Sequence, residues 1–334
     1  PVYFLIILWG DTRVDRNGAA LRFFLFTQAS GLLMLFAMLT LSFFKMRLTG
    51  QATLDAVELR DVHLAGVAAL TLPLGFFLAF AVKLPLIPFH SWQPVTYAAI
   101  PASGGIILSG VMAKVGAYGM LRFVLPLFPE AAKTLAPWAM GLAVVSILYG
   151  ALAAFAQTDL RRFIAYSSIG HLGFVVLGIF SMNGWGQRGA VVLMVAHGCS
   201  VAGLFVLAAV MERNSGPRDM SRLGGLWAAS PRLGAFAMVL MMATLGLPGL
   251  ANFVGEFLVL LGAFRSNLCA AVPAALGTVL SAAYALKFMQ RVFFGPRGGD
   301  AAPVVDLSGR HAVAALIVAL SLLALGLLPG PLLH

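Results

Sequence analysis

Five ionisable side chains stand inside long apolar stretches of the sequence, where a charge is costly. They are Lys83, Lys114, His171, His197 and Glu256. An ionised side chain at the centre of a bilayer costs about 2.5–3.5 kcal/mol on insertion scales. Such groups therefore need ion partners, water or a function that uses their ionisation. Amines, imidazoles and a carboxylate can each take up and release protons, so this set predicts a path for proton transfer.

The same residues could instead form internal ion pairs or hydrogen bonds that only tie helices together. A single intramembrane histidine fits either interpretation, but three charged groups and two histidines in one chain favour the proton path. Lys287 is interpreted differently because it lies one turn from Arg291, near a basic span end. Its long side chain can reach the headgroups there, so we do not predict it to be a proton carrier.

Two of the spans that carry these charges also contain helix-breaking residues. The residues are Pro85 and Pro88, which follow Lys83, and Gly246, Pro248 and Gly249, which precede Glu256. Proline removes a backbone donor and blocks a helical hydrogen bond, so either cluster alone would indicate an ordinary kink. Their coincidence with the intramembrane charges predicts two discontinuous helices. Irregular backbone is tolerated inside a membrane where it lines a polar cavity.

The elements that position these residues are membrane spans. Of 334 residues, 60% are hydrophobic and 10% are charged, against about 25% charged in soluble domains. The sequence predicts an all-α, polytopic membrane protein with about nine complete transmembrane helices, and Pro1–Trp9 as the end of another. The predicted spans are 21–44, 66–88, 101–128, 135–156, 163–181, 187–211, 233–264, 269–294 and 312–333.

The formal net charge of +10 is explained by topology and does not indicate nucleic-acid binding. The basic residues are spread over the joints between spans and do not cluster with aromatic residues. One set of alternate joints carries twelve of them: Arg13, Arg16, Arg22, Arg161, Arg162, Arg213, Arg218, Arg222, Arg232, Arg291, Arg297 and Arg310. The other set carries fewer, so the positive-inside rule makes the first side cytoplasmic.

The two cysteines give no support to a redox centre in this chain. Cys199 and Cys269 are far apart and lie in apolar surroundings. They indicate neither a disulfide framework nor a Cys-ligated cluster. Any redox cofactors are therefore expected elsewhere.

Several motifs together carry a specific resemblance that covers essentially the whole chain. They occupy Val82–Trp92, Gly110–Phe123, Asp159–Gly173, Val195–Ser200, Gly246–Phe257 and Gln290–Gly295. These segments resemble the proton-antiporter family shared by respiratory complex I and Mrp-type cation antiporters. The resemblance matches Lys83, Lys114, His171 and His197 to the family's central hydrophilic axis. Its N-type, L-type and Mrp members usually carry lysine where M-type subunits carry glutamate, so Glu256 points to the M-type branch.

The resemblance also implies an organisation for the chain. Residues 1–128 would be the C-terminal part of a first inverted repeat, cut at its N-terminus, residues 129–295 a second repeat, and residues 296–334 a C-terminal transmembrane helix. The family's glutamate partner of the residue matching Lys83 would lie upstream of Pro1. In the segment 93–101, the aspartate and second histidine that family members usually carry are missing.

The function implied is that of a proton-translocating membrane subunit of an NADH-quinone oxidoreductase, coupled to quinone reduction elsewhere in the complex. No redox active site and no metal site is expected in this chain, and NADH, flavin, iron–sulfur clusters and quinone would belong to partner subunits. Expected partners are L-type, N-type and small membrane subunits in a bacterial-type inner membrane, or an organellar inner membrane. The alternatives are a Mrp-type or hydrogenase-linked antiporter subunit and a non-conducting membrane scaffold.

Overall fold

The computed structural model describes residues 2–62, 64–215, 219–296 and 306–333, and within these ranges the chain is helical with no strand. The helices are α1 (Val2–Trp9), α2 (Arg16–Thr49), α3 (Ala68–Lys83), α4 (Trp92–Ala99), α5 (Ala102–Leu127), α6 (Pro129–Ala156), α7 (Leu160–Phe180), α8 (Gly184–Ser215), α9 (Leu226–Ala229), α10 (Pro231–Thr244), α11 (Ala251–Ser266), α12 (Leu268–Phe294), α13 (Gly309–Leu327) and α14 (Gly330–Leu333).

Seven of the helices in the described ranges are long and apolar enough to cross a membrane, namely α2, α5, α6, α7, α8, α12 and α13. A polytopic helical membrane protein is therefore confirmed, whereas the predicted count of nine complete spans is not. The two remaining predicted spans, 66–88 and 233–264, are both interrupted. Their first helical parts, α3 and α10, are shorter apolar helices.

Helix α7 is the centre of the bundle and is almost completely buried. It packs against α4, α6, α8 and α11. Its contact with α6 is close because glycines face each other there: a β-carbon at Gly150 would lie 2.6 Å from the backbone nitrogen of Gly170. Small residues allow membrane helices to approach at backbone distance. The side chain of His171, next to Gly170, is consequently buried in the bundle interior.

Helices α8 and α11 also meet through glycines. A β-carbon at Gly255 would lie 2.7–2.8 Å from the backbone and Cβ of Leu193, and one at Gly189 would lie 2.7 Å from the backbone nitrogen of Val259. This contact sets the distance between the helix that carries His197 and the helix that carries Glu256. It also leaves no space for a larger side chain on either surface.

We expect Gly255→Ala to destabilise the protein, because its methyl group would collide with the backbone of Leu193 and force α8 and α11 apart. Overpacking of this kind costs about 1–3 kcal/mol. The matched control is Gly141→Ala, since a β-carbon there meets nothing within 4 Å. Thermal unfolding of the full-length protein in detergent checks this, and an equal midpoint for the two variants would contradict it.

The first interrupted span ends its helix at Lys83, and the chain resumes as a helix at Trp92. Side chains satisfy backbone groups freed by the interruption. The Trp92 indole N–H donates to the carbonyl of Val82 at 3.0 Å, and the Ile87 N–H donates to the Ser146 hydroxyl at 3.1 Å. The broken backbone is thereby held at membrane depth without unpaired groups at these positions.

The second interrupted span ends at Thr244 and resumes at Ala251. Gly246 and Gly249 have positive φ values of 77° and 96°, which glycine adopts without the steric cost of a side chain. The Leu247 N–H donates back to the Met242 carbonyl at 3.0 Å. This closure is typical of a helix that ends on a glycine in the left-handed region.

An ion pair clamps the ends of α7 and α8. The Arg161 guanidinium donates to both carboxylate oxygens of Glu212, at 2.6 and 2.8 Å, and also to the carbonyl of Ile100 at the end of α4. Arg13 lies 3.8 Å from the same carboxylate. Arg13 and Arg161, which were predicted to share one face of the membrane, therefore lie at the same end of the bundle. Arg218 and Arg297, predicted for the same face, fall outside the described residues.

Removal of this clamp should cost more than removal of the neighbouring charge. Arg161→Ala leaves the mostly buried Glu212 without its bidentate partner, and breaking a buried pair in this way costs about 3–5 kcal/mol. Arg162→Ala is the control because its side chain is exposed. Denaturant unfolding in detergent micelles measures the stability of both variants. Equal losses of unfolding free energy would show that the ion pair stabilises the protein no more than an exposed arginine does.

Candidate proton-transfer site

His171 and Glu256 meet in the interior of the bundle. The His171 Nδ1 lies 3.0 Å from Oε1 of Glu256, and both side chains are buried. Neither atom makes a well-aligned hydrogen bond to another described residue. The two groups are therefore close enough for the charge of one to act strongly on the other, without being fixed to each other by an ideal bond.

The other ring nitrogen of His171 faces a tyrosine that the sequence patterns did not single out. The Tyr284 hydroxyl, on α12, lies 3.3 Å from Nε2. Three helices, α7, α11 and α12, thus each contribute one polar group to the same buried place. A hydroxyl can donate to or accept from an imidazole, so it fits either state of the ring.

His197 continues this arrangement on α8. Its ring centre lies 5.1 Å from that of His171, with the two planes tilted by 32°. The Ser168 hydroxyl lies 3.0 Å from Nε2 of His197. Ser168 is one turn before His171 on α7, so the two residues lie on the same helix face. That face carries the His171 imidazole and contacts the His197 imidazole through Ser168.

Lys114 lies on the α5 side of the same interior. The residue is 6% exposed, and its ammonium donates to the backbone carbonyl of Ser109. Helix α5 meets α8 beside His197, where a β-carbon at Gly198 would lie 3.0 Å from the backbone carbonyl oxygen of Gly110. π-helical turns at Leu108–Met112 and Met120–Val124 flank Lys114. Such turns are rare, and they occur often at functional sites.

Lys83 has a different environment from Lys114. It is half-buried at the end of α3, and its ammonium forms no hydrogen bond or ion pair with any residue in the ranges described above. It lies on the wall of a cavity of about 470 Å³ whose lining comes mainly from α1, α2 and α5. Ala113, next to Lys114, belongs to the same wall.

The second helix interruption lies directly against Glu256. A β-carbon at Gly246 would lie 2.9 Å from Oε2 of Glu256, so one carboxylate oxygen faces His171 and the other faces the glycine of the break. Asn252, at the start of α11, is fully buried and lies 3.4 Å from the Ser200 hydroxyl. Broken backbone and carboxylate therefore share one location.

The predicted carriers thus fall into two groups. Lys114, His197, His171 and Glu256 converge in the bundle interior, whereas Lys83 lies on the wall of the cavity lined mainly by α1, α2 and α5. Pro85 and Pro88 lie in the first interruption, and Pro248 and Gly249 in the second. The polar residues that the sequence analysis missed are Gln93, Tyr97, Ser109, Ser168, Asn252 and Tyr284. The only sign of these residues in the sequence was that they are polar within apolar spans. Their burial, which only the structure shows, distinguishes them from polar residues on the surface.

Lys287 behaves as a helix-end residue. Its ammonium donates to the carbonyl of Phe155 at 2.9 Å and lies 3.8 Å from the centre of that residue's ring. Both contacts tie α12 to the end of α6. They give Lys287 a packing role at the helix end.

Comparison with known proteins identifies the family. The profile of the NADH:quinone oxidoreductase/Mrp antiporter transmembrane family matches residues 1–281. The chain belongs to this family. Membership confirms the resemblance inferred from the motifs.

Relatives of this NADH:quinone oxidoreductase/Mrp antiporter family include M-type subunits. NADH-quinone oxidoreductase subunit M of Pseudomonas aeruginosa is 46% identical over 337 residues, which is all of this chain and 66% of the relative. The subunit M of Escherichia coli strain K12 is 43% identical over 338 residues, with the same coverage. The chain thus spans 66% of the length of these relatives, and its predicted likeness to M-type subunits is confirmed.

Solved structures of the family share the fold. A chain of respiratory complex I from Thermus thermophilus with bound NADH has a TM-score of 0.91 and 36% identity, covering all of this chain and 71% of that one. A chain of the Mrp complex from Dietzia sp. has a TM-score of 0.87 at 19% identity, with coverage of 100% and 70%. At that identity the second likeness concerns the fold alone.

The buried contact between His171 and Glu256 should be energetically coupled. In a double-mutant cycle with His171→Gln and Glu256→Gln, we expect the unfolding free energies to deviate from additivity by about 0.5–3 kcal/mol. The control cycle uses Glu130 and Lys133, an exposed pair at 2.8 Å, for which about 0–1 kcal/mol is typical. Denaturant titration in detergent measures both cycles, and strict additivity for the buried pair would refute the coupling.

Proposed function

We propose that this chain is the proton-conducting part of an M-type membrane subunit of an NADH-quinone oxidoreductase. The observation that carries the proposal is the buried succession of Lys114, His197, His171 and Glu256. Each of these groups can bind a proton, and His171 lies within contact of both of its neighbours in the series. Ionisable groups are costly inside a membrane, so a bundle with a purely structural role would be more stable with apolar residues at these positions.

In this proposal protons pass between side chains that belong to different helices. A change in charge at one position alters the affinity of the next group for a proton, because charges interact strongly where water is scarce. Redox-driven changes elsewhere in the complex would supply the change in charge. This chain itself would carry out no redox chemistry.

The interrupted helices would give protons access to the series. The break at Gly246 lies against Glu256, and the break after Lys83 lies beside the cavity that Lys83 lines. Buried polar atoms without a protein partner in the described ranges include Nδ1 of His197 and Oδ1 of Asn252. Such atoms are normally hydrated, so water would complete the path at these points.

The family relationship supports proposals about partners and location. The other membrane subunits of complex I, namely L-type, N-type and small subunits, would surround this chain in a bacterial inner membrane or an organellar one. NADH, flavin, iron–sulfur clusters and quinone would be bound by partner subunits. The face with twelve cations would be cytoplasmic. Residues 1–128 would form part of the first repeat, residues 129–295 the second repeat, and residues 296–334 the final helix.

Substitution of the carrier at the cavity, Lys83, or of a carrier in the bundle interior, Glu256, should reduce proton pumping. In the assembled complex, we expect Lys83→Ala and Glu256→Gln each to lower quinone-coupled proton translocation several-fold, since each removes a group that binds a proton. Pumping is measured by acidification of inverted vesicles or proteoliposomes during NADH oxidation, per assembled complex.

The controls are Lys133→Ala and Glu130→Gln, which change the same residue types at exposed positions and should leave pumping unchanged. Wild-type pumping in both carrier variants would discard the proposed function and favour a non-conducting scaffold. Comparable losses in the control variants would indicate an effect of net charge and not of the buried series.

A further inference from the structure

Tyr284 contacts the middle of the carrier series from the helix that leads to the basic end of the bundle. Its hydroxyl lies 3.3 Å from Nε2 of His171, and both residues are buried. Lys287 and Arg291 follow it on α12, one and two turns nearer the basic end. Side chains on an α-helix point back toward its N-terminus, so the Tyr284 hydroxyl lies deeper than its own backbone. Tyr284 therefore connects this end of the bundle with the carriers.

A small pocket lies beside Tyr284 at the basic end. Its volume is about 10 Å³, and its polar lining comes from Gln157, Tyr284, Lys287 and Arg291. An ordered water needs about 10–15 Å³ of such space and two to four polar partners. The pocket therefore has the size and the polar groups to hold one water molecule. Arg291 is one of the twelve cations of the proposed cytoplasmic face, so the pocket lies toward that face.

Lys287 holds the mouth of this pocket. Its ammonium donates at 2.9 Å to the carbonyl of Phe155, in the last turn of α6, where carbonyls have no partner within the helix. An ammonium has three hydrogens, so two remain for water. The Gln157 amide donates to the carbonyl of Ala153 at 3.1 Å and also carries an acceptor oxygen. The mouth thus offers a water molecule both donors and an acceptor.

Three aromatic rings separate the pocket from His171. Phe163 packs edge-on against Tyr284 with ring centres 5.6 Å apart, and it stacks on Phe288 at 5.2 Å with planes 15° apart. All three residues line the pocket and are buried, and Phe163 lies about two helical turns before His171 on α7. Apolar constrictions stop water by dewetting. The Tyr284 hydroxyl is the one polar group that these three rings contain.

We propose that this pocket is an entrance for protons from the cytoplasmic side to His171, and that the rings of Phe163, Tyr284 and Phe288 form its gate. When the rings part, water reaches the Tyr284 hydroxyl. A proton from water binds the Tyr284 oxygen while the hydroxyl's own hydrogen passes to Nε2 of His171, so the imidazole gains one proton and the phenol is unchanged. The entrance is distinct from both helix interruptions. The inference rests on the proposed function, because an entrance has meaning only if the series carries protons.

The gate is tested by the access of a small thiol reagent to a position behind the rings. Ser281 is buried one turn before Tyr284 on α12, and the test uses Ser281→Cys together with Cys199→Ala and Cys269→Ala. Silver ion is added to inverted vesicles that hold the assembled complex, and the remaining free thiol is then labelled on the separated subunit. We expect slow reaction with the native rings and several-fold faster reaction when Phe163→Ala removes one of them.

The side of addition and a matched variant provide the controls. Silver ion added to right-side-out vesicles should show no acceleration, because the pocket lies at the proposed cytoplasmic end. Phe36→Ala removes an exposed ring on α2 and should leave the reaction slow from both sides. If Phe163→Ala does not assemble, Phe163→Leu removes the same ring and keeps more of its volume. An unchanged rate without the ring, or acceleration from the opposite side or equally from both, would overturn the gate.

The passage of protons through Tyr284 is tested by the removal of one oxygen atom. Tyr284→Phe keeps the ring and its contact with Phe163 but removes the hydroxyl beside His171. We expect a several-fold loss of proton pumping per NADH oxidised in the assembled complex, whereas a residue with a packing role alone would tolerate this change. Tyr118→Phe, at an exposed position on α5, is the matched control and should pump as wild type.

The outcomes separate the entrance from the function on which it rests. Wild-type pumping in Tyr284→Phe, together with a loss in Glu256→Gln, would overturn the entrance and leave the proposed function standing. Wild-type pumping in both Glu256→Gln and Lys83→Ala would remove the proposed function and the entrance together, whatever the reaction with silver shows.

Discussion

The cost of burying a carboxylate inside a membrane helix governs the arrangement around Glu256. A buried charge without partners is among the most expensive features that a membrane helix can carry. Here one carboxylate oxygen lies 3.0 Å from the His171 ring, and the other lies against Gly246 at the helix break. The polar groups of three helices are brought to this position. The packing of the bundle centre follows from the need to hold them there.

Close packing and broken backbone meet that need together. The glycine contacts of α7 and α8 with their neighbours bring helices to backbone distance, which fixes the imidazoles relative to the carboxylate. The interruptions after Lys83 and Thr244 expose backbone that other groups must satisfy, as the Trp92 indole does for Val82. Rigid contacts and irregular segments are thus placed side by side: the glycine contacts fix the positions of the buried ionisable groups, and one interruption lies against Glu256 while the other follows Lys83.

The same physical setting distinguishes the two lysines. Lys114 is enclosed, with its ammonium held by the Ser109 carbonyl between two π-helical turns. Lys83 lies half-buried on a cavity lined mainly by apolar residues. Identical side chains can therefore serve different steps of a transfer path, since the environment determines how easily each ammonium gives up its proton.

The sequence by itself determined the membrane class, the helix interruptions and the identity of the costly groups. Those features depend on local composition: a charge in an apolar run or a proline after Lys83 has the same meaning in any fold. The tertiary structure alone decided that His171 lies between His197 and Glu256, that Lys83 stands apart, and that the hydroxyls of Ser168 and Tyr284 lie 3.0 and 3.3 Å from the rings of His197 and His171. Helical periodicity gives the face on which a residue lies, but the neighbour of that face is set by packing between segments distant in the chain.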